Sequence, residues 1–244
     1  SLQFIAENYP HSSHLGELAK QIDFVFCSSA ELDITNLDNC KDVFSKYKPN
    51  YCINTAAYTA VDKAESETEK AFAINVTGAK NLAIVCNEQD AVLLHVSTDF
   101  VFDGNKEAPY TEEDVPNPTG VYGQTKLDGE KAIQETFENY FIIRTSWVYS
   151  QFGNNFMKTM LRLASEHESL SVVNDQIGTP TNAVDLADVL IKIIVSCQTE
   201  SHEVFGIYNF SNEDVCSWYD FAATIFHQKG IEIDLKPIPT DSYP

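Results

Sequence analysis

Residues 92–104 read Val-Leu-Leu-His-Val-Ser-Thr-Asp-Phe-Val-Phe-Asp-Gly, and residues 121–126, beyond a turn-rich segment, read Val-Tyr-Gly-Gln-Thr-Lys. The first stretch is an apolar run closed by Ser97, Thr98 and Asp99. That is the pattern of a buried strand with polar residues at its carboxyl end. In an open parallel sheet, ligands bind at that end. The second stretch opens a helical pattern that runs to about Phe137. Tyr122 and Lys126, four apart, stand on one helix face a turn apart. A lysine ammonium beside a phenol favours the phenolate and lowers the phenol's pKa. The Thr98 hydroxyl would complete a proton-transfer constellation. By itself, Tyr-x-x-x-Lys is also what a solvated amphipathic helix shows. Here it occurs once in a chain with 11 tyrosines, and it follows a strand ending in Ser-Thr.

Working outward, strand and helix patterns alternate. Phe24-Val-Phe26 reads as a short strand. Thr35 or Asn36 caps a helix to about Tyr47, which Lys48-Pro49-Asn50 breaks. Tyr51–Asn54 is a strand, and one long helix follows from about Glu67 to Asn87, with Ala71, Ile74, Ala79, Leu82 and Val85 on its apolar stripe. After the Tyr122 helix come a strand at Tyr140–Arg144, a helix at Asn155–His167 and a strand at Leu170–Val173. A helix at Ala183–Val195, a strand at Gly206–Phe210 and a helix near Trp218–Gln228 follow. Upstream, residues 1–9 read as the remainder of a helix and 10–13 as a loop. Alternation at this spacing predicts βαβ units, a doubly wound parallel sheet of Rossmann type, and helices on both faces. From about Phe152 the spacing loosens and polar loops lengthen. We therefore expect a dinucleotide-binding domain over 1–150 and a smaller substrate-binding lobe over 151–244, with some segments returning to the sheet.

The 244 residues are 43% hydrophobic, enough for a substantial core. A net charge of −20 argues against nucleic acid or an anionic membrane as partner, though an anionic small ligand still fits a locally positive pocket. Cys27, Cys40, Cys52, Cys86, Cys197 and Cys216 form no Cys-x-x-Cys pair, so they read as reduced thiols of a cytoplasmic protein. The six histidines have no metal-ligand spacing, and no metal ligand is expected. No apolar run approaches a membrane span and no signal peptide is visible. Ser1 opens inside a helical pattern with no strand before it, and Pro244 closes a turn-like segment. Both ends read as cut.

Several motifs resemble one family. Val-Ser-Thr-Asp-Phe-Val-Phe-Asp-Gly (96–104), Val-Tyr-Gly-Gln-Thr-Lys (121–126), Arg-Thr-Ser-Trp-Val-Tyr (144–149), Gly-Asn-Asn-Phe (153–156) and Asp-Gln-Ile-Gly-Thr-Pro-Thr (175–181) are similar to those of dTDP-4-dehydrorhamnose reductases, within the extended short-chain dehydrogenase/reductases. Asn-Thr-Ala-Ala-Tyr-Thr-Ala-Val-Asp-Lys-Ala-Glu (54–65) belongs to the same pattern. The motifs keep the family's order. The family begins with a strand and a Gly-rich turn that seats the cofactor pyrophosphate. Neither precedes Ser1-Leu2-Gln3, which resembles the residues just after that turn.

The resemblance implies reduction of the 4-keto group of dTDP-4-dehydro-L-rhamnose to dTDP-L-rhamnose, a precursor of bacterial surface polysaccharide. The hydride would come from NADPH or NADH; Mg2+ and a homodimer are compatible additions. Tyr122 would be the general acid. Lys126 would aid it and grip the nicotinamide ribose, and Thr98 would bond the substrate oxygen. Asp33 and Ile34 resemble the pair flanking the adenine ring. Ala56, Ala57 and Tyr58 follow a strand end where small residues let a cofactor approach. Asn75, mid-helix where Asn is mildly unfavourable, reads as a buried polar group. Ser97, Asn75, Tyr122 and Lys126 join these on the cofactor side. Asp99, Trp147, Asn154, Asn155, Lys158 and Gln176 match the family's sugar-nucleotide side together with Thr98. Cys27-Ser28-Ser29 stand where an acid would favour NAD, and serines that can bond a 2′-phosphate lean the reading to NADP. Two alternatives stay open: another nucleotide-sugar epimerase or dehydratase of the superfamily, or a non-catalytic subunit resembling the regulatory subunit of methionine adenosyltransferase. The latter lacks the Tyr/Lys pair.

Overall fold

The structure, a computed structural model, describes residues 2–3, 22–199 and 204–243. The expected helix over 1–9 lies outside these except for Leu2 and Gln3, and the loop over 10–13 lies wholly outside. The described chain divides into two units. One gathers 22–145 and 190–210; the other gathers 2–3, 146–189 and 211–243.

The first unit opens with α1 (Leu37–Tyr47), whose N-cap Asn36 accepts the Asn39 N–H and so satisfies one of the helix's open donors. β1 (Tyr51–Asn54) follows. Then come a single turn α2 (Val61–Ala64), α3 (Thr68–Phe72) and α4 (Ala79–Gln89). The expected continuous helix from Glu67 is instead interrupted: residues Ala73–Gly78 between α3 and α4 form a π-helical stretch. Such widened turns arise from tertiary fit and not from periodicity. Of the expected apolar stripe, Ala71, Ala79, Leu82 and Val85 are buried, and Ile74, within the π-helical stretch, is half-buried against the core.

β2 (Val92–Thr98) leads through a 3₁₀ turn (Asp99–Val101) and the Pro-rich loop to α5 (Val121–Gln134) and β3 (Tyr140–Thr145). β2 lies between β1 and β3, parallel to both, with Tyr51 opposite Val92 and Leu93 opposite Tyr140. Leu93, Leu94 and His95 are buried in succession, as a strand covered on both faces requires. The core gathers Cys40 and Phe44 of α1, Leu82, Val85 and Cys86 of α4, Leu93, Ile133 and Ile142.

The second unit begins with β4 (Val148–Tyr149), α6 (Phe156–Glu166), β5 (Ser169–Val173), β6 (Ile177–Gly178) and β7 (Thr181–Asn182). α7 (Ala183–Thr199) spans the division. β8 (Gly206–Asn209) extends the first sheet, giving the order β1-β2-β3-β8. β9 (Cys216–Ser217), α8 (Trp218–Lys229) and β10 (Asp234–Ile238) complete the second unit. β10 pairs in parallel with β5 over a separate core of Met160, Val172, Ala222, Ile225 and Phe226.

Two local readings need correction. Phe24–Phe26 is not a strand. A strand exists by pairing, and among the described residues none pairs with this segment. Its rings stack on each other at 5.8 Å while Val25 stays 51% exposed. β10 was not expected, because Pro237 and alternating polar residues mask it. Proline is tolerated on a sheet edge, where its missing N–H is not needed. Among the described residues all six cysteines are free, and no helix is long and apolar enough to cross a membrane.

Candidate active site

The carboxyl end of β2 delivers Thr98. Its Oγ1 accepts the Phe100 N–H at 3.2 Å and so caps the 3₁₀ turn. Its hydroxyl donates to Asp99 Oδ1 at 3.1 Å. The Tyr122 phenol, in the first turn of α5, lies near enough that Thr98 pulls its pKa down. The Phe100 ring meets Tyr122 edge-on at 5.4 Å. This approach needs Gly123, because a Cβ there would collide with the Phe100 carbonyl. Glu65 Oε1 accepts the Val121 N–H at 2.8 Å, satisfying an open donor that Gly120 has no side chain to bond. Thr98, Asp99 and Tyr122 are thus brought together, whereas the Lys126 amine, expected beside the phenol, points elsewhere.

The electrostatics differ from expectation in one respect. The Tyr122 phenol is raised, not lowered: burial dominates, the Asp99 carboxylate adds to it, and Thr98 opposes. Lys126 is not among the influences on it. The lysine amine instead donates to the Val96 carbonyl at 2.8 Å and lies 3.3 Å from His95 Nε2. Same-face spacing puts two side chains side by side at their roots, and a long lysine can still end elsewhere. Burial lowers Lys126 to about 8 against the upward pull of Glu130. Burial raises Asp99 to about 6. His95 is held well below its ordinary value by burial and by Lys126, and its Nδ1 lies 2.9 Å from Asn54 Nδ2.

Around this centre, Asn75 is a brace. Its Oδ1 accepts the Tyr58 N–H at 2.8 Å, and its Nδ2 donates to the Tyr58 carbonyl and to Thr125 Oγ1. It pins the loop after β1 to α5, and its polar atoms are spent on protein. Ala56 is exposed there, Ala57 half-buried and Tyr58 buried. Ser97 donates to Glu130 Oε1 at 2.5 Å, and Glu130 pairs with Arg144 at 2.6 Å. Asp33 accepts the Thr35 N–H and hydroxyl in a pre-helix turn, while the Ile34 side chain lies in the core.

The sugar-nucleotide candidates outside β2 lie in the second unit. Trp147 has a left-handed φ of +46° and stacks on Trp218 with ring centroids 3.5 Å apart. Gly178 lies against the indole: a Cβ there would stand 2.5 Å from it. Gln176 accepts from Trp218 Nε1 and donates to Thr240. Asn155 caps α6 by accepting the Lys158 N–H and donates to the Ser150 carbonyl. Asn154 and the Lys158 side chain are exposed. Trp218, Glu130, Arg144 and His95 were not anticipated as parts of these clusters.

A protein of this class implies a nicotinamide cofactor, and the described residues fit its nicotinamide-ribose half. Thr55 and Ala56, both exposed, leave the end of β1 free of bulk. Tyr122 is half-buried at the neighbouring strand end, and an ammonium at Lys126 has three donors, of which the contacts above use two. A Gly-rich pyrophosphate seat is not among the described residues. Nor, among them, is any group of three or more His, Cys, Asp or Glu placed to hold a metal ion.

A parallel sheet wound with helices, Ser97-Thr98 at an inner strand end and Tyr122 and Lys126 on the next helix define a Rossmann-like member of the extended short-chain dehydrogenase/reductases. Residues 13–244 match the family described as RmlD substrate binding domain. The chain belongs to that family, the dTDP-4-dehydrorhamnose reductases, and is an oxidoreductase. It is 45% identical over 210 residues to the dTDP-4-dehydrorhamnose reductase of Aggregatibacter actinomycetemcomitans, covering 86% of this chain and 71% of the relative. It is 39% identical over 232 residues to the spore coat polysaccharide biosynthesis protein SpsK of Bacillus subtilis, covering 93% and 80%. Among solved structures, dTDP-4-dehydrorhamnose reductase from Bacillus anthracis in complex with NADP superposes with a TM-score of 0.86 at 40% identity, covering 91% of this chain and 77% of that one. An orthologue from Clostridium acetobutylicum gives 0.89 at 39%, covering 100% and 82%.

Proposed function

We propose that the chain reduces the 4-keto group of dTDP-4-dehydro-L-rhamnose to the hydroxyl of dTDP-L-rhamnose, with Tyr122 as proton donor and NADPH as cofactor. The carrying observation is the placement of Thr98 at the end of an inner parallel strand with Tyr122 in the first turn of the next helix, close enough for Thr98 to influence the phenol, in a chain of this family. The cofactor supplies the hydride. Burial keeps the Tyr122 phenol neutral at pH 7, so it holds a proton to give to the carbonyl oxygen. The Thr98 hydroxyl orients that oxygen and the phenol. Lys126 would hold the nicotinamide ribose, with Ala56 and Ala57 lining the approach and Asn75 fixing their loop. Trp147, Asn154, Asn155, Lys158 and Gln176 would serve the sugar nucleotide. The similar reductase of Bacillus anthracis was solved in complex with NADP, which supports the cofactor choice.

The test is NADPH oxidation with the dTDP-4-keto sugar. Tyr122→Phe should cut kcat by about 10²–10⁴-fold while nearly preserving substrate binding, because only the transferred proton is lost. A Phe variant keeping more than about a tenth of the wild-type kcat would overturn the assignment.

A further inference from the structure

We infer that His95 is a positioning residue that ties the charge of Lys126 to the Ala56 backbone N–H through the Asn54 amide. The inference rests on the reduction proposed above, in which Lys126 holds the ribose and Ala56 lines the cofactor's approach. Asn54, His95 and Lys126 are all buried, so their polar atoms must satisfy one another. Asn54 Oδ1 accepts the Ala56 N–H at 3.0 Å. A backbone N–H only donates, so this bond fixes which way the amide faces. Asn54 Nδ2 therefore donates to His95 Nδ1, 2.9 Å away. An imidazole whose Nδ1 accepts carries its proton on Nε2. That N–H stands 3.3 Å from Lys126 Nζ.

An ammonium has three donors and no acceptor, so it cannot receive that N–H. A neutral amine can, through its lone pair, while still donating to the Val96 carbonyl at 2.8 Å. The bonds as they stand therefore belong to an uncharged Lys126. Charging the lysine reverses the chain. The ammonium must donate to Nε2, the imidazole must carry its proton on Nδ1, and the Asn54 oxygen must turn to accept it. The Ala56 N–H then loses its acceptor. Ala56 is exposed, so the freed N–H can meet water or an acceptor on a ligand. One proton enters from water in this change: Nε2 passes its own to Nζ, and the incoming proton ends on Nδ1. The imidazole is neutral in both settings. That suits a ring which burial and Lys126 hold well below the ordinary histidine range.

Burial lowers Lys126 to about 8, against the upward pull of Glu130 on its own helix, so both settings lie within reach of ordinary pH. Glu130 is itself paired with Arg144 of β3, and His95 is the titratable neighbour on β2. Asn54, from β1, carries no charge. A cofactor that accepts the Ala56 N–H and bonds the ammonium favours the charged setting through both contacts, so each contact strengthens the other. Above about pH 8 its binding should then take up a proton.

The test is an NMR titration that reads the His95 ring nitrogens and the Ala56 amide. Above about pH 8 His95 should show the Nε2–H tautomer. Below it, the ring should change to the Nδ1–H tautomer without becoming imidazolium, and the Ala56 amide resonance should move with the same midpoint. Adding NADPH above that midpoint should drive the same change. In Lys126→Met the Nε2–H form should persist at every pH, and in His95→Leu the Ala56 amide should no longer follow the titration. A single tautomer throughout in the wild type, or a change that survives Lys126→Met, overturns the coupling. So does an Ala56 amide that still follows pH in His95→Leu. The wild-type titration decides the matter even if a variant fails to fold. The Tyr122→Phe assay separates the two claims. An inactive Phe variant beside a fixed His95 tautomer sinks the coupling alone; an active Phe variant sinks the proton-donor assignment beneath it.

Discussion

Glu130→Ala should be among the most damaging single changes in the sheet-bearing unit. Glu130 and Arg144 have side chains 1% and 3% exposed, on α5 and β3. Arg144 Nη2 and Nε both reach the carboxylate, at 2.6 and 3.1 Å. The guanidinium lies over the Phe102 ring at 5.1 Å, and its Nη1 has no hydrogen-bond partner. Removing the carboxylate would strand a buried positive charge with only an aromatic face to meet it. Breaking one side of a buried pair costs about 3–5 kcal/mol. At about 2–4 °C per kcal/mol for a chain of this size, thermal unfolding should begin roughly 6–20 °C lower. Replacing both partners tests the reasoning. Glu130→Leu with Arg144→Met leaves no charge to strand, and such swaps are often neutral or stabilising. The Ser97 hydroxyl then loses its acceptor, which returns about 1–3 kcal/mol of cost. The double variant should therefore be clearly more stable than Glu130→Ala, as read by circular dichroism melting. A single variant within about 3 °C of wild type, or a double variant as unstable as the single, would show that the pair is not a buried charge clamp.

Gly129→Ala should destabilise by about 1–3 kcal/mol in urea unfolding, although alanine is the better helix former, because its Cβ would collide with the Asn75 carbonyl in the π-helical stretch; a stabilised variant would sink this packing. Lys126 is lowered to about 8 from 10.5, so between those values the unfolded chain binds more protons and stability rises with pH. The difference in unfolding free energy between wild type and Lys126→Met should accordingly be flat below about pH 7 and shift toward wild type between about 8 and 10.5; a shift of opposite sign refutes the burial argument.

Much of the fold was legible because its signals are local. The apolar run of β2, the Asn36 cap of α1 and the stripe of α4 each report what their own residues need. What stayed hidden depends on partners. Residues 24–26 carry a strand's composition, yet among the described residues none pairs with them. Asp234–Ile238 carries a poor strand composition, yet β5 offers it a full parallel register. The π-helical stretch at Ala73–Gly78 has no composition of its own that a reading of apolar periodicity would flag.

The site shows the same limit at closer range. Four-residue spacing placed Tyr122 and Lys126 on one face, and the face continues to Glu130. Read as a pattern, three polar groups at that spacing describe a solvated helix. The structure turns this stripe inward, from a half-buried phenol to a lysine 2% exposed and a carboxylate with no exposure. Two glycines in the helix carry the sign of that inward turn. Gly123 and Gly129 each cost a helix about 0.8–1 kcal/mol relative to alanine, a cost that makes sense only where backbone must come close. One meets the Phe100 carbonyl and the other the Asn75 carbonyl. The helix is therefore seated from both ends of its polar stripe, at the turn after β2 and at the π-helical stretch. The direction Lys126 takes within that seat was not legible. It depends on the Val96 carbonyl and His95, which lie 30 and 31 residues away in sequence. Spacing gives the root of a long side chain, and burial decides where its charge can end.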